Sequence, residues 1–200
     1  MRAVVIKMIR IFAISIYPFW IIKERYFPFF QSKVRAFLIQ QKLKNYKCKV
    51  GDNLSVGKRV DFKIGHASEL SIGNNVKIGD DVYIKVKDGA KLFIGNDVHI
   101  NKATRVSSNK EIIIGDNSLI APYCNILDHN HVFDLTTPVS VHNFDCASII
   151  IGKGVWLGVK VQVNKGVNIG DFCVIGANSV VTKNVPSSSV FGGIPAKKIK

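Results

Sequence analysis

The chain has 200 residues, 47% of them hydrophobic, and a formal net charge of +14. That is enough to bury a core as one domain with an appendage. Eleven of its Lys and Arg lie in residues 1–50 with a single acid, Glu24, so this quarter carries +10 and the other 150 residues only +4. A basic balance of this kind often signals nucleic acid, but here the excess sits on an apolar, aromatic segment, which argues for an anionic membrane surface instead. Cys48, Cys124, Cys146 and Cys173 form no CxxC pair and no zinc-finger spacing. They read as buried, inert thiols in a reduced, cytoplasmic setting.

The first element expected is a basic, apolar helical extension over residues 1–49. Met8 to Ile22 is apolar apart from Arg10 and is interrupted by Pro18. It is shorter than the roughly 20 apolar residues that span a bilayer. Lys23-Glu24-Arg25 follows it, where a signal peptide would place small residues. Tyr26 to Tyr46 mixes Phe27, Phe29, Phe30, Phe37, Leu38 and Leu43 with Lys and Arg. Two readings stand for the extension: an interface-lying helical hairpin at the inner face of the membrane, or a cap that closes the open strand edge of the domain behind it.

From about residue 50 an aliphatic residue followed by Gly returns at multiples of about six. It is seen at Ile72-Gly73, Ile78-Gly79, Ile94-Gly95, Ile114-Gly115, Ile151-Gly152, Leu157-Gly158, Ile169-Gly170 and Ile175-Gly176. Neither a helix nor a lone strand has this period, whereas a solenoid of short strands and tight corners does. In IGNNV (72–76), IGDDV (78–82), IGNDV (94–98) and IGDNS (114–118) the aliphatic residue would fill a narrow prism. Gly and Asn or Asp would take the unusual dihedrals of the corner. Three sides make a coil of eighteen, as from Ile151 to Ile169, and residues 50–200 hold about seven such coils. The polar stretches Lys85–Lys91 and Asn101–Lys110 interrupt the beat and read as short corner loops. A longer insert, residues 127–148, carries Asp128-His129-Asn130-His131, Pro138 and His142, and a loop of that length is usually functional.

The block IIIGKGVWLGVKVQVNKGVNIGDFCVIGANSVVTKNVP (149–186), followed by GGIPAKKIK (192–200), resembles the hexapeptide-repeat acyltransferases. That family includes the galactoside and maltose acetyltransferases and many polysaccharide O-acetyltransferases. The resemblance implies a left-handed parallel β-helix, since the repeat shows a solenoid but not its hand. It also implies a homotrimer with acetyl-CoA lying between neighbouring prisms. Within it, His131 follows IGDNSLIAP (114–122) at the place of the family's general base, with His129 as rival base and Asp128 or His129 as holders of the loop. CoA contacts carry over onto Trp156, Gly158, Ala177, Thr182, Lys183, Lys197 and Lys200, with Lys198 beside them. Val159 departs from the family, standing where galactoside acetyltransferase has a polar contact. A histidine base suits acetyl transfer from a thioester to a hydroxyl near neutral pH. No covalent intermediate and no metal are expected.

The function this implies is CoA-dependent O-acetylation of a sugar hydroxyl in capsule, lipopolysaccharide or exopolysaccharide synthesis, in the cytoplasm or at the inner membrane face. Three alternatives stay open. A nucleotide-sugar N-acetyltransferase uses the same scaffold, a zinc carbonic anhydrase would draw on His129, His131 and His142, and a solenoid without catalysis would serve only as a scaffold.

Overall fold

The computed structural model describes residues 30–44, 46–136 and 138–200; the apolar segment Met8–Ile22 lies outside them. The chain winds into a three-sided parallel β-solenoid of six complete coils and part of a seventh. The first face stacks Lys47–Val50, Glu69–Ile72, Lys91–Ile94, Glu111–Ile114, Ile149–Ile151 and Asn168–Ile169. The second runs from Ser55–Val56 to Val174–Ile175 and is continued by Val190–Gly193, against which Ala196–Lys198 folds back antiparallel. The third stacks Asp61–Ile64, Tyr83–Val86, Arg105–Ser108, Asn125–Leu127, Gln162–Val163 and Val180–Val181. Aliphatic residues at equivalent positions form inward rows, such as Ile72, Ile94, Ile114, Ile151 and Ile169, each buried. No single coil encloses its own interior, so the rows exist only as a stack.

The corners correct the expected role of glycine. The left-handed conformation belongs to the third corner residue, as in Asn75, Asp97 and Asn117, with φ near +57°. Gly occupies the first corner position because the next coil passes too close. A Cβ on Gly73 would stand 2.6 Å from the carbonyl carbon of Gly95. The Asn or Asp between them accepts a backbone N–H from the preceding coil, as Asn74 does from Asp52 at 2.8 Å and Asn96 does from Asn74 at 2.9 Å. The four residues of Ile-Gly-Asn-Asn thus divide the work of filling the prism, clearing the next coil, bonding across coils and turning the chain.

The period is also longer than eighteen in the early coils. Corner bonds between successive coils link residues 22 apart at the start and 20 apart at Asn96–Asp116, and reach 18 only at Lys153–Asp171. The extra residues lengthen the strands on either side of the third corner. Lys85 and Arg105–Ser108, expected in corner loops, are therefore strand residues of the third face.

A helix over residues 30–43 closes the top of the stack. Its buried stripe includes Ala36 and Leu43, packed on the first coil. In later coils the carbonyls of Val76 and Ile78 accept N–H groups of the coil before them, those of Ser55 and Gly57. Among the described residues the first coil has no such neighbour, and side chains of the helix take over. Lys33 Nζ donates to the carbonyls of Asn53 and Leu54 at 3.1 and 3.3 Å, and Arg35 Nε to that of Val56 at 2.9 Å. The helix is a cap, and two of its cations act on the protein's own backbone. Its other side leaves Phe30, Val34, Phe37 and Leu38 exposed. Among the described residues no helix is long and apolar enough to cross a membrane.

Candidate active site

The insert leaves the stack at the third corner, after Leu127, and returns so that Ile149–Ile151 pairs directly beneath Ile112–Ile114. Its base is an antiparallel hairpin of His129–His131 and Phe144–Cys146. Strand alternation puts His129 and His131 on one side of the hairpin. Both pack on Phe144, with ring centroids 5.3 and 4.6 Å away.

Asp128 anchors this hairpin. Its carboxylate is fully buried and accepts from Ser108 Oγ at 3.0 Å and from the backbone N–H groups of Asn109, Lys110 and Glu111 at 2.7 to 2.8 Å. His129 Nδ1 lies 3.0 Å from the same carboxylate, and the Asp128 carbonyl accepts from Ala147 N–H where the insert rejoins the stack. A buried carboxylate is tolerable only with such a full set of donors. Asp128 therefore binds two coils and the mouth of the insert together.

His131 is exposed, and its Nδ1 lies 3.1 Å from the backbone carbonyl of Ser140. A carbonyl can only accept, so Nδ1 carries a proton, and in the neutral ring the lone pair is then on Nε2. His129 is pinned in the same sense by Asp128, but its side chain is only 15% exposed. Among the described residues His129, His131 and His142 do not gather into a group that could hold a metal ion.

Beside the hairpin lie polar atoms that no sequence motif singles out. Among the described residues Ser107 Oγ, both polar side-chain atoms of Asn109, and Asn125 Oδ1 are buried without a hydrogen-bond partner. All sit on the third face or at its corner, and Asn109 shares Asp128 Oδ1 with His129. Asn109 belongs to a stretch that reads as a polar loop; only the folded register shows it next to the histidines. Lys87, from the other such stretch, places its Nζ 4.8 Å from the centre of the Phe144 ring. Burial, followed by the Asp128 charge, raises the Cys146 thiol, while Lys87 and Lys110 act in the opposite direction.

The residues expected to touch CoA fall into separate groups. Trp156, half exposed, stands on the second face. Gly158 and Ala177 stack at the corner between the second and third faces, where a Cβ on Gly158 would lie 2.7 Å from Ala177 N. Exposed Val159 adjoins them. Thr182 and Lys183 follow Val180–Val181 at the other edge of the third face, the edge that bears the histidine hairpin. Lys197, Lys198 and Lys200 close the foot of the stack below the second face. One chain does not bring the two edges together.

Comparison with known proteins gives the same architecture. Residues 148–183 match the bacterial transferase hexapeptide family (six repeats). WbbJ of Escherichia coli K12, provisionally named a lipopolysaccharide biosynthesis O-acetyl transferase, is 38% identical over 109 residues, covering 50% of this chain and 56% of that protein. The galactoside O-acetyltransferase of the same organism is 41% identical over 91 residues, 44% of this chain and 43% of that one. The chain spans about half or less of the curated relatives it matches. Among solved structures, a variant of AntD, an N-acyltransferase from Bacillus cereus in complex with dTDP and coenzyme A, superposes with a TM-score of 0.68 at 25% identity. That match covers 81% of this chain and 87% of AntD. Galactoside acetyltransferase in complex with coenzyme A gives 0.56 at 27% identity, covering 83% and 68%. The repeat, the three-sided stack and these likenesses make the chain similar in sequence and fold to the acyltransferases built on the hexapeptide repeat.

Proposed function

We propose that the chain moves an acetyl group from acetyl-CoA to a sugar hydroxyl, with His131 as general base. The observation that carries this reading is the pinned imidazole, with Nδ1 held by the Ser140 carbonyl and Nε2 left to accept a proton from an incoming alcohol. The acceptor oxygen attacks the thioester carbonyl as Nε2 takes its proton. The C–S bond then breaks, and the imidazolium returns the proton to the departing thiolate. His129 and Asp128 position the hairpin. The likeness to WbbJ supports an acceptor in surface polysaccharide synthesis.

Coenzyme A is assigned to a homotrimer in which the Trp156–Gly158–Ala177 edge of one copy meets the Thr182–Lys183 edge of the next. The division of these residues between two edges supports that arrangement. So does exposed apolar surface on both sides: Leu119, Trp156 and Val159 on one, Val132, Phe133 and Leu135 of the insert on the other. The outer stripe of the capping helix and the basic, apolar residues ahead of it support attachment to the inner membrane face. A second reading, N-acylation of a nucleotide-linked amino sugar, is favoured by the AntD likeness and uses the same base.

The test is release of CoA thiol with hydroxyl and amino sugars as acceptors. His131→Ala should lower kcat by about 10²–10⁴-fold, whereas His129→Ala should retain more activity. Full activity in His131→Ala would remove it as the base, and activity with amino sugars alone would favour the second reading.

A further inference from the structure

A cleft of about 390 Å³ opens beside the histidine hairpin, between the end of the capping helix and the third-face edge of the first two coils. Lys42, Lys63, Lys85 and Lys87 line it, with Tyr46 and Asp88. Lys63 and Lys85 are register partners and point outward from the third face, and Ser107, with its unpartnered hydroxyl, is the next residue in that row. The opposing charges are few. Asp88 has one carboxylate oxygen engaged by the Ala67 N–H at 2.7 Å, and Asp61 lies 3.8 Å from Lys63. Among the described residues Lys42, Lys85 and Lys87 have no carboxylate partner within ion-pair distance.

Like charges gathered on one wall repel one another, and the arrangement becomes favourable when an anion joins them. The position of the wall says what the anion belongs to. The Lys87 ammonium and His131 contact the same Phe144 ring, one 4.8 Å and the other 4.6 Å from its centre. The cationic end of the cleft and the base therefore share one aromatic neighbour. We propose that this cleft holds the diphosphate of an acceptor glycan, fixing the sugar so that its free hydroxyl reaches His131. The proposal rests on the acetyl-transfer reading for the identity of the reacting group, but the binding site stands apart from it. Lysine supplies mobile point charges rather than a planar fork, which suits a flexible diphosphate better than a single carboxylate. The diphosphate can come from a nucleotide-linked or a lipid-linked sugar.

Titration calorimetry on the full chain, without acetyl-CoA, separates the two claims. Inorganic pyrophosphate, uridine diphosphate and farnesyl diphosphate should each bind saturably, and glucuronate more weakly. The K85Q/K87Q double variant should lose about tenfold or more in affinity, and Lys63→Gln a smaller factor. Lys58→Gln, an equal loss of charge at another corner, should bind like the parent. Stronger binding of uridine diphosphate assigns the nucleotide source, and stronger binding of farnesyl diphosphate assigns the lipid source. No saturable binding of any diphosphate at 10 mM, about the weak limit of a specific site, overturns the proposal, as does equal affinity in K85Q/K87Q. Either result leaves acetyl transfer intact. Conversely, diphosphate binding by a chain that acetylates nothing would refute the transferase reading alone.

Discussion

Replacing Asp128 by Asn keeps the shape of the side chain but removes one acceptor from a buried site that uses both oxygens. The best orientation turns the remaining oxygen toward Ser108 Oγ and the N–H groups of Lys110 and Glu111, all of which bond Oδ2. The new NH2 then confronts the Asn109 N–H, whose partner was Oδ1 at 2.7 Å. A buried donor left facing a donor costs about 1–3 kcal/mol, and three bonds that lose charge assistance cost about 0.5–1 kcal/mol each. Relief from burying a full charge offsets part of this. A net loss of about 3 kcal/mol remains, which for a chain of this size lowers Tm by about 6–12 °C. Thermal unfolding by circular dichroism measures it. The same NH2 facing His129 Nδ1 should move that ring's proton to Nε2, read from imidazole 15N shifts. A variant that melts within about 2 °C of the parent, far short of the expected drop, with His129 unchanged, would refute the anchoring role.

Gly73→Ala should destabilise by about 2–4 kcal/mol, since its Cβ would meet the backbone of Gly95 at 2.6 Å and stacked coils cannot part locally; denaturant unfolding checks it. Burial pushes the Cys124 thiol up to about 11, so at pH 8 it should resist alkylation until the chain unfolds, as mass spectrometry of modified peptides would show. Because the unfolded thiol ionises near 9 and the folded one near 11, Cys124 should also lower stability progressively as pH rises between those values. Arg35→Ala removes the donor that replaces a missing coil at the Val56 carbonyl, and should cost about 1–3 kcal/mol in the same unfolding assay.

The inward rows were legible in the chain because only aliphatic residues fit a narrow prism and they must recur on every side. The roles within each corner were less so. Gly is used both for positive φ and for clearance, and a one-dimensional pattern does not distinguish a residue that turns from one that is crowded. The lengthened early coils hid the third face, because Lys85 and Arg105 point outward and break no hydrophobic rule. The insert was visible as a silence in the beat, and its histidines by their chemistry. The setting of Asp128 was not, since three of its donors are backbone amides of residues 17 to 19 positions earlier. The cap was one of two open readings for residues 1–49, and its use of Lys33 and Arg35 as substitute amides leaves no trace in composition.

The insert leaves and rejoins at a single corner, and the ladder from Ile112 to Ile149 runs on beneath it as though nothing had intervened. The insert is therefore a cassette set into a fixed socket, and its length and sequence do not enter the register of the stack. The plug at its base, Asp128 and the amides it grips, is what ties cassette to socket.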